Sequence, residues 1–443
     1  MDSNLIDKSF EELEEILLNN DVVLNGSTLK VSLTPYELSS KEYENISKQS
    51  ELILEAVEIV LAQYLVNPMV QNFYPECEHL KDVIRLDTHQ PLKRYNQFSR
   101  FDIIVDENGK MGIMELNTGC PGGILLTPFF KDLFEQLEWF EDHVNTPGIQ
   151  KQPFDNLDFF FKKMVNFYQE IKKTTHVPTM AFLTNKNRIG HTDRNQFMAI
   201  GEKFGYNVLL AFYDELEYDG THLSCNGKTI DLVWNKYDFS IEDGKVKPWF
   251  YTKSIDETKN FLQAVSDGNV LSWNGFLSYL VGESKKTLAL LCDERFHYLF
   301  TQDQVKAIKE LCLPTFVLQS SNPEMMKLKQ TIMDNKNVYV VKSSTDTRGR
   351  GIFIGDEMDQ SKWNDAVDKA VDGPFVIQQF VKSQKTMVLD PYTKSLMPMN
   401  ATLGFLIVEG QAAGYFSRCS PNLINNVHSA GVPQVSYVVQ HNR

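Results

Sequence analysis

The sequence predicts a protein of mixed α+β and α/β class, built as two or three lobes. Three observations carry that prediction. At 443 residues the chain exceeds what one core normally serves. Between residues 178 and 238 strand, helix and strand patterns alternate, as in a small Rossmann-like layer. Outside that unit, short apolar strands are joined in pairs by turn residues, which is hairpin patterning. Hydrophobic residues at 42% and aromatics at 12% suffice for sizeable cores and exceed what disordered chains carry.

The elements follow in order. MDSNLIDKSFEELEE is acidic and amphipathic, without the basic and apolar regions of a secretory signal. KEYENISKQSELILEAVEIVLAQYLV (41–66) has helical periodicity. In RFDIIVDENGKMGIMELN (100–117), Asn108-Gly109 predicts a two-residue type I′ hairpin turn, because both positions tolerate positive φ. LLTPFFKDLFEQLEWFEDHV returns to helix, and the turn residues Asn145 to Gly148 mark a boundary. TMAFLTN, YNVLLAFY and TIDLVWNKY read as strands, with HTDRNQFMAIGEKFG as the helix between the first two. No glycine fingerprint follows the first strand, so a dinucleotide is not expected. In the last third, KKTLALLCDERF and TQDQVKAIKELC read as helices. NVYVVKSS, IFIG and PFVIQQFV read as strands, with a helix in SKWNDAVDKAV, and ATLGFLIVEG turns into QAAGYFSRCS as a hairpin.

A net charge of −14 argues against general affinity for nucleic acid or anionic lipid, which needs clustered positive charge. The six cysteines form no CxxC pair, so neither a zinc site nor a disulfide framework is expected. No run approaches the length of a membrane-spanning helix. The expectation is a soluble cytoplasmic protein with reduced thiols.

Chemistry concentrates first in the hairpin. Counting outward from Asn108-Gly109 pairs Phe101 with Leu116, Ile103 with Met114 and Val105 with Gly112 on an apolar face. On the other face Arg100 meets Asn117, Asp102 meets Glu115 and Ile104 meets Ile113. Directly opposed carboxylates repel, so a cation is expected between them. Asp102, Glu115 and Asn117 are hard oxygen donors suited to magnesium, and Arg100 is a fixed cation suited to phosphate. A solvated outer face is the alternative reading. The charges cluster away from the turn and are followed by the small-residue run TGCPGG, which favours the metal.

Further candidates are weaker in isolation. Lys342 ends an apolar strand and is followed by TDTRGRG, whose Gly349 and Gly351 could let the loop cover phosphates. An ordinary hairpin with a glycine tip fits equally well. Gln378 and Gln379 close the strand of GPFVIQQFV, either beside an adenine or as a polar strand end. Lys286 reads as a second phosphate lysine or a helix-end charge. Arg418, in the apolar strand GYFSRCS, needs an anionic partner. The histidines have no ligand spacing, and neither a kinase HRD loop nor a GxSxG elbow occurs.

In this order the pieces resemble the ATP-grasp ligases, specifically the circularly permuted branch that includes glutathionylspermidine synthetase-like proteins. The resemblance spans most of residues 80–443 and rests chiefly on RFDIIVDENGKMGIMELN, similar to that branch's R-x-D…E-x-N element. It implies a helical region with the metal hairpin at 1–150, a Rossmann-like substrate domain at 151–260, and nucleotide-binding lobes at 261–443. It carries Arg100 to the γ-phosphate, and Asp102, Glu115 and Asn117 to magnesium. Lys286 and Lys342 become the nucleotide lysines, Gly349 and Gly351 the phosphate-covering loop, and Gln378 or Gln379 the adenine contact. Arg418 would hold the transferred phosphate or the substrate carboxylate, and Arg194 or Asn235 would reach the acceptor pocket. No segment resembles the amidase domain of bifunctional relatives, so only a synthetase activity is implied.

The implied cofactors are ATP and Mg2+. The implied reaction is ADP-forming activation of an amino-acid or peptide carboxylate as an acyl phosphate, followed by attack of an amine or a carrier-protein thiol. Specialised metabolism, including antibiotic biosynthesis, is the expected setting. Loading of glutamate or another amino acid onto an acyl-carrier protein is one alternative. A small-molecule kinase and an ATP-binding regulatory protein are others. Partners are then small carboxylates and amines, with neither nucleic acid nor membrane.

Overall fold

The computed structural model describes residues 3–24, 27–144, 148–184, 192–236, 239–242, 245–248, 258–346, 351–423 and 431–440. Its centre is an antiparallel sheet in which strands distant in sequence lie side by side. Val432–Gln434, Gln411–Ser420, Ser395–Val408, Phe98–Val105 and Met111–Asn117 follow one another, and Lys385–Asp390 pairs with the first half of Ser395–Val408. One face of this sheet is apolar because side chains alternate along each strand. Phe101, Ile103, Leu403, Phe405 and Ile407 are fully buried there. The helix Ser40–Tyr64 covers them, placing Tyr43 5.6 Å from Phe405 and 6.1 Å from Tyr415 between ring centroids. That helix starts at a capping box in which Ser39 and Glu42 satisfy each other's backbone N–H groups.

The hairpin turn differs from the predicted two-residue form. The loop spans residues 106–110, with the Asp106 carboxylate accepting from the N–H groups of Asn108 and Lys110. Only Gly109 takes positive φ, at +78°. Val105 therefore pairs with Met111, and Ile103 with Ile113, one residue off the predicted register. A bulge at Met114 removes the offset, so Asp102 still faces Glu115 and Arg100 still faces Asn117.

Two further sheets flank this centre. The first is parallel, in the order Leu271–Ser272, Leu232–Asn235, Met180–Thr184, Val208–Phe212, with the helix Thr192–Lys203 following Met180–Thr184. It matches the alternating pattern read between 178 and 238. Its core is aromatic: Phe98, Phe160, Phe182, Trp234 and Trp273 are buried together. The second is antiparallel, in the order Thr315–Phe316, Phe375–Gln379, Tyr339–Ser343, Ile352–Ile354, backed by the helices Pro323–Asp334 and Gln360–Ala370 around Trp363. A small sheet joins Tyr36–Ser39, Ser436–Val439 and Ile149–Gln150. The segment expected as one helix over 125–144 forms two, Leu126–Phe134 and Glu138–His143, divided at the buried Leu137. All six cysteines are free thiols. Among the described residues no helix is long and apolar enough to cross a membrane.

Candidate active site

Register places the site. Residues directly opposite in an antiparallel sheet point to the same face. Asp102 is paired with Glu115 on one side and Gly404 on the other, and Gly404 with Phe416. Two residues along each strand, Arg100, Asn117, Thr402 and Arg418 therefore share this face. The result is a polar floor built from four strands, opposite the apolar face under the Ser40–Tyr64 helix. Gly404 makes room in it: a Cβ there would stand 2.5 Å from the Phe416 ring and 3.0 Å from Arg100 Cδ.

Asp102, only 1% exposed, accepts from Arg100 Nε at 2.7 Å and Nη2 at 3.2 Å, and from Arg418 Nη2. Burial pushes its carboxyl pKa up, but the two guanidiniums overcome this and hold it below the usual carboxylate range. Glu115, directly opposite, is met by Lys285 Nζ at 2.9 Å. Burial raises its pKa and Asp102 adds to that, while Lys285 and Lys342 bring the net shift below the ordinary value. Each of the two opposed carboxylates thus has its own cation, which offsets the repulsion between them.

Lys342 enters the cleft from Tyr339–Ser343, next to the strand Phe375–Gln379. Its ammonium donates to Gln378 Oε1 at 2.6 Å and lies 3.4 Å from Met114 O, the carbonyl of the bulged residue. Gln378 Nε2 donates to Thr315 Oγ1 at 2.9 Å and Met114 O at 3.2 Å. Burial pushes the lysine pKa down to about 8. Glu115, Leu116, Lys285, Leu288, Lys342 and Gln378 line one narrow cleft.

The other expected residues fall less evenly. Asn117 sits at the rim, its Nδ2 3.3 Å from Arg100 O. Gly351 takes φ +61°, and a Cβ there would stand 2.7 Å from Ser343 Cβ, so glycine is required for the return strand. Gly349 lies outside the described residues, and Gln379 is exposed. Lys286 is not brought to the cluster: its buried ammonium pairs at 2.8 Å with Glu76, itself only 10% exposed. Successive residues on a helix point about 100° apart. Ser284 caps the helix Lys285–Cys292, and it is Lys285 whose side chain reaches the floor. Only the KK doublet hinted at this, and helix phase alone does not choose between its members.

Sequence reasoning also missed what holds TGCPGG. Glu283 Oε2 accepts from the N–H groups of Thr118 at 2.7 Å and Gly119 at 2.6 Å. Lys236 Nζ donates to Cys120 O at 2.8 Å. Arg100 Nη1 donates to Gly122 O at 2.8 Å, and Asp193 Oδ2 accepts from Gly123 N at 3.0 Å. Four charged side chains from four elements fix this short loop.

Two carboxylates and an amide on one face form an oxygen-donor set of the kind magnesium takes, since it needs only one or two protein carboxylates. Among the described residues no group of three or more His, Cys, Asp or Glu converges on a point. The donor set is compatible with magnesium and unlike a zinc or haem site.

The fold is mixed α and β and ATP-grasp-like. Residues 283–383, which hold Lys285, Lys342 and Gln378, match the tubulin-tyrosine ligase family. Among solved structures, a glutathione synthetase-like effector from Globodera pallida in its apo form aligns with a TM-score of 0.63 at 12% identity. That alignment covers 99% of this chain and 98% of that one. D-alanyl-alanine synthetase A from Vibrio cholerae aligns with a TM-score of 0.32 at 9% identity, over 56% of this chain and 69% of that one. No curated protein sequence matches.

Proposed function

We propose that the protein is an ATP-dependent, ADP-forming ligase that activates the carboxylate of an amino acid or peptide as an acyl phosphate and transfers it to an amine or thiol. One observation carries this reading. Arg100, Arg418, Lys285 and Lys342 converge on Asp102 and Glu115 over one polar floor. Such a cluster suits a triphosphate and a developing acyl phosphate, whose charge must be neutralised away from bulk water. The order of the chain, with the hairpin ahead of the nucleotide strands, supports the circularly permuted branch.

Asp102, Glu115 and Asn117 would hold magnesium, which when bound neutralises phosphate oxygens and orients them for in-line transfer. Lys342 and Lys285 supply fixed positive charge from the nucleotide side of the cleft. Gln378 orients the Lys342 ammonium and ties it to the bulge. Arg100 and Arg418, both anchored on Asp102, would direct their guanidinium charge at the anion being transferred. The Thr118–Gly123 loop, held at both ends, fixes where the attacked carboxylate can lie. This scheme uses no covalent side-chain nucleophile.

The test is ATP turnover with magnesium and a panel of amino acids and dipeptides, with hydroxylamine as surrogate acceptor. ADP together with a hydroxamate is expected. AMP would reject the mechanism. A stable phosphorylated product insensitive to hydroxylamine would make the protein a kinase.

A further inference from the structure

The parallel sheet has a topological switch point that the activation chemistry above leaves unused. Taken in chain order, its strands run fourth, third, first, second across the sheet. The direction in which successive strands are added therefore reverses between Met180–Thr184 and Leu232–Asn235, which run parallel. Ligands of open α/β sheets bind in the crevice outside the carboxyl ends of the strands at such a point. Here that crevice is flanked by Asp193, in the first turn of the helix after Met180–Thr184, and by Asn235 and Lys236, at the end of Leu232–Asn235. Lys236 N donates to Leu183 O, which sets the two strand ends side by side.

These three side chains are 5%, 2% and 4% exposed. Asp193 Oδ2 is used by Gly123 N, while Oδ1 has no hydrogen-bond partner among the described residues. Among the described residues its ion pair is with Lys236 Nζ at 3.9 Å, and that ammonium also donates to the carbonyls of Cys120 and Pro121. Asn235 Oδ1 accepts from Tyr213, whereas Nδ2 has no partner among the described residues. A buried carboxylate oxygen and a buried amide N–H left open are costly, and together they describe a ligand with a donor at one end and an acceptor at the other.

The crevice is joined to the polar floor through one peptide group. Arg100 Nη1 donates to Gly122 O at 2.8 Å, and Asp193 accepts from Gly123 N at 3.0 Å. With standard peptide dimensions, guanidinium and carboxylate are then at most about 8 Å apart. An α-amino acid bridges such a gap when its ammonium and carboxylate each make a hydrogen bond of about 2.8 Å.

We propose that this crevice recognises the free α-ammonium of an amino-acid or peptide substrate on Asp193, with Asn235 Nδ2 donating to a carbonyl or carboxylate oxygen of the same molecule. The inference rests on the ligase reading and deepens it. An amine held by a buried carboxylate stays protonated, because the opposite charge favours the ammonium. It is therefore a recognition handle and not the attacking amine, and the molecule bound here is the one whose carboxylate is activated beside Arg100.

The test is calorimetric binding of free amino acids and dipeptides, each beside its N-acetyl counterpart, to the full chain and to Asp193→Asn. At least one free-amine ligand is expected to bind the native protein. N-acetylation should weaken it about 30-fold or more, since it deletes one charge-assisted pair. In Asp193→Asn the two forms should differ less than about 3-fold. Equal binding of free and acetylated forms to the native protein would overturn the inference, as would failure of every free-amine ligand to bind. A uniform loss of both forms in the variant would assign Asp193 a purely structural role and would also overturn it. Asp193-dependent binding without ADP formation would instead leave the subsite standing and remove the ligase reading.

Discussion

The Asp102 carboxylate and the Arg418 guanidinium, 316 residues apart in sequence, share a hydrogen bond on the floor of the central sheet. Arg418 is thereby placed over the same carboxylate that Arg100 holds from its own strand. Substituting Asp102 with Asn would leave two guanidiniums facing a neutral amide. Breaking a buried pair of this kind costs about 3–5 kcal/mol, and turnover should fall by about 10²–10³. Arg418→Met leaves Arg100 on Asp102, so it should lose comparable turnover with a much smaller drop in melting temperature. Full activity in Arg418→Met would remove that residue from the proposed mechanism.

Lys285 and Lys286 are neighbours in sequence with different partners. Lys285→Met should weaken ATP binding by about 10-fold or more, the worth of a hydrogen bond to a charged group. Lys286→Met should leave ATP affinity within about 2-fold and instead destabilise the fold, since Glu76 would stay buried without its cation. Calorimetric ATP titration and thermal denaturation of both variants separate the two. Weakened ATP binding in the Lys286 variant alone would reverse the assignment.

These two lysines show where the sequence is legible and where it is not. Strand and helix patterning is local, so the hairpin, the alternating unit and most helices could be read. The facing of Asp102 and Glu115 emerged by counting only because a longer turn and the Met114 bulge offset each other, and neither leaves a sequence signal. Arg418 on an apolar strand demanded an anion, and the anion proved to be one already singled out. By contrast, the choice between Lys285 and Lys286 is made by Glu115 and Glu76, which lie far away in sequence. The clamping of TGCPGG by Glu283, Lys236 and Asp193 is likewise tertiary, and no spacing rule reaches across such separations.

Gly404 tests how tightly the floor is packed. Alanine there would press its methyl into the Phe416 ring and against Arg100 Cδ. Overpacking of this order costs about 1–3 kcal/mol. Because the displaced groups include Arg100, turnover should fall further than ATP affinity does. Denaturant unfolding with paired kcat and ATP-binding measurements checks both. A variant with native stability and native kcat would show that the ring swings aside freely.

Lys342 predicts opposite pH trends for stability and for nucleotide binding. Burial lowers its pKa from 10.5 to about 8, so the folded protein gives up this proton before the unfolded chain does. Between those values the unfolded state binds more protons, and this group's contribution to stability rises with pH. Below pH 8 the buried charge is present and its cost is fully expressed. In the proposed mechanism nucleotide binding needs that charge, so ATP affinity of the native protein should fall as pH rises through about 8, approaching tenfold per unit. A bound triphosphate raises the lysine pKa, so the limb must be read from the free protein's affinity and not from turnover at saturation. Lys342→Met should bind ATP weakly at every pH and lack the alkaline fall. A native protein whose ATP affinity stays level from pH 7 to 9.5 would show that Lys342 does not carry the charge that the nucleotide meets.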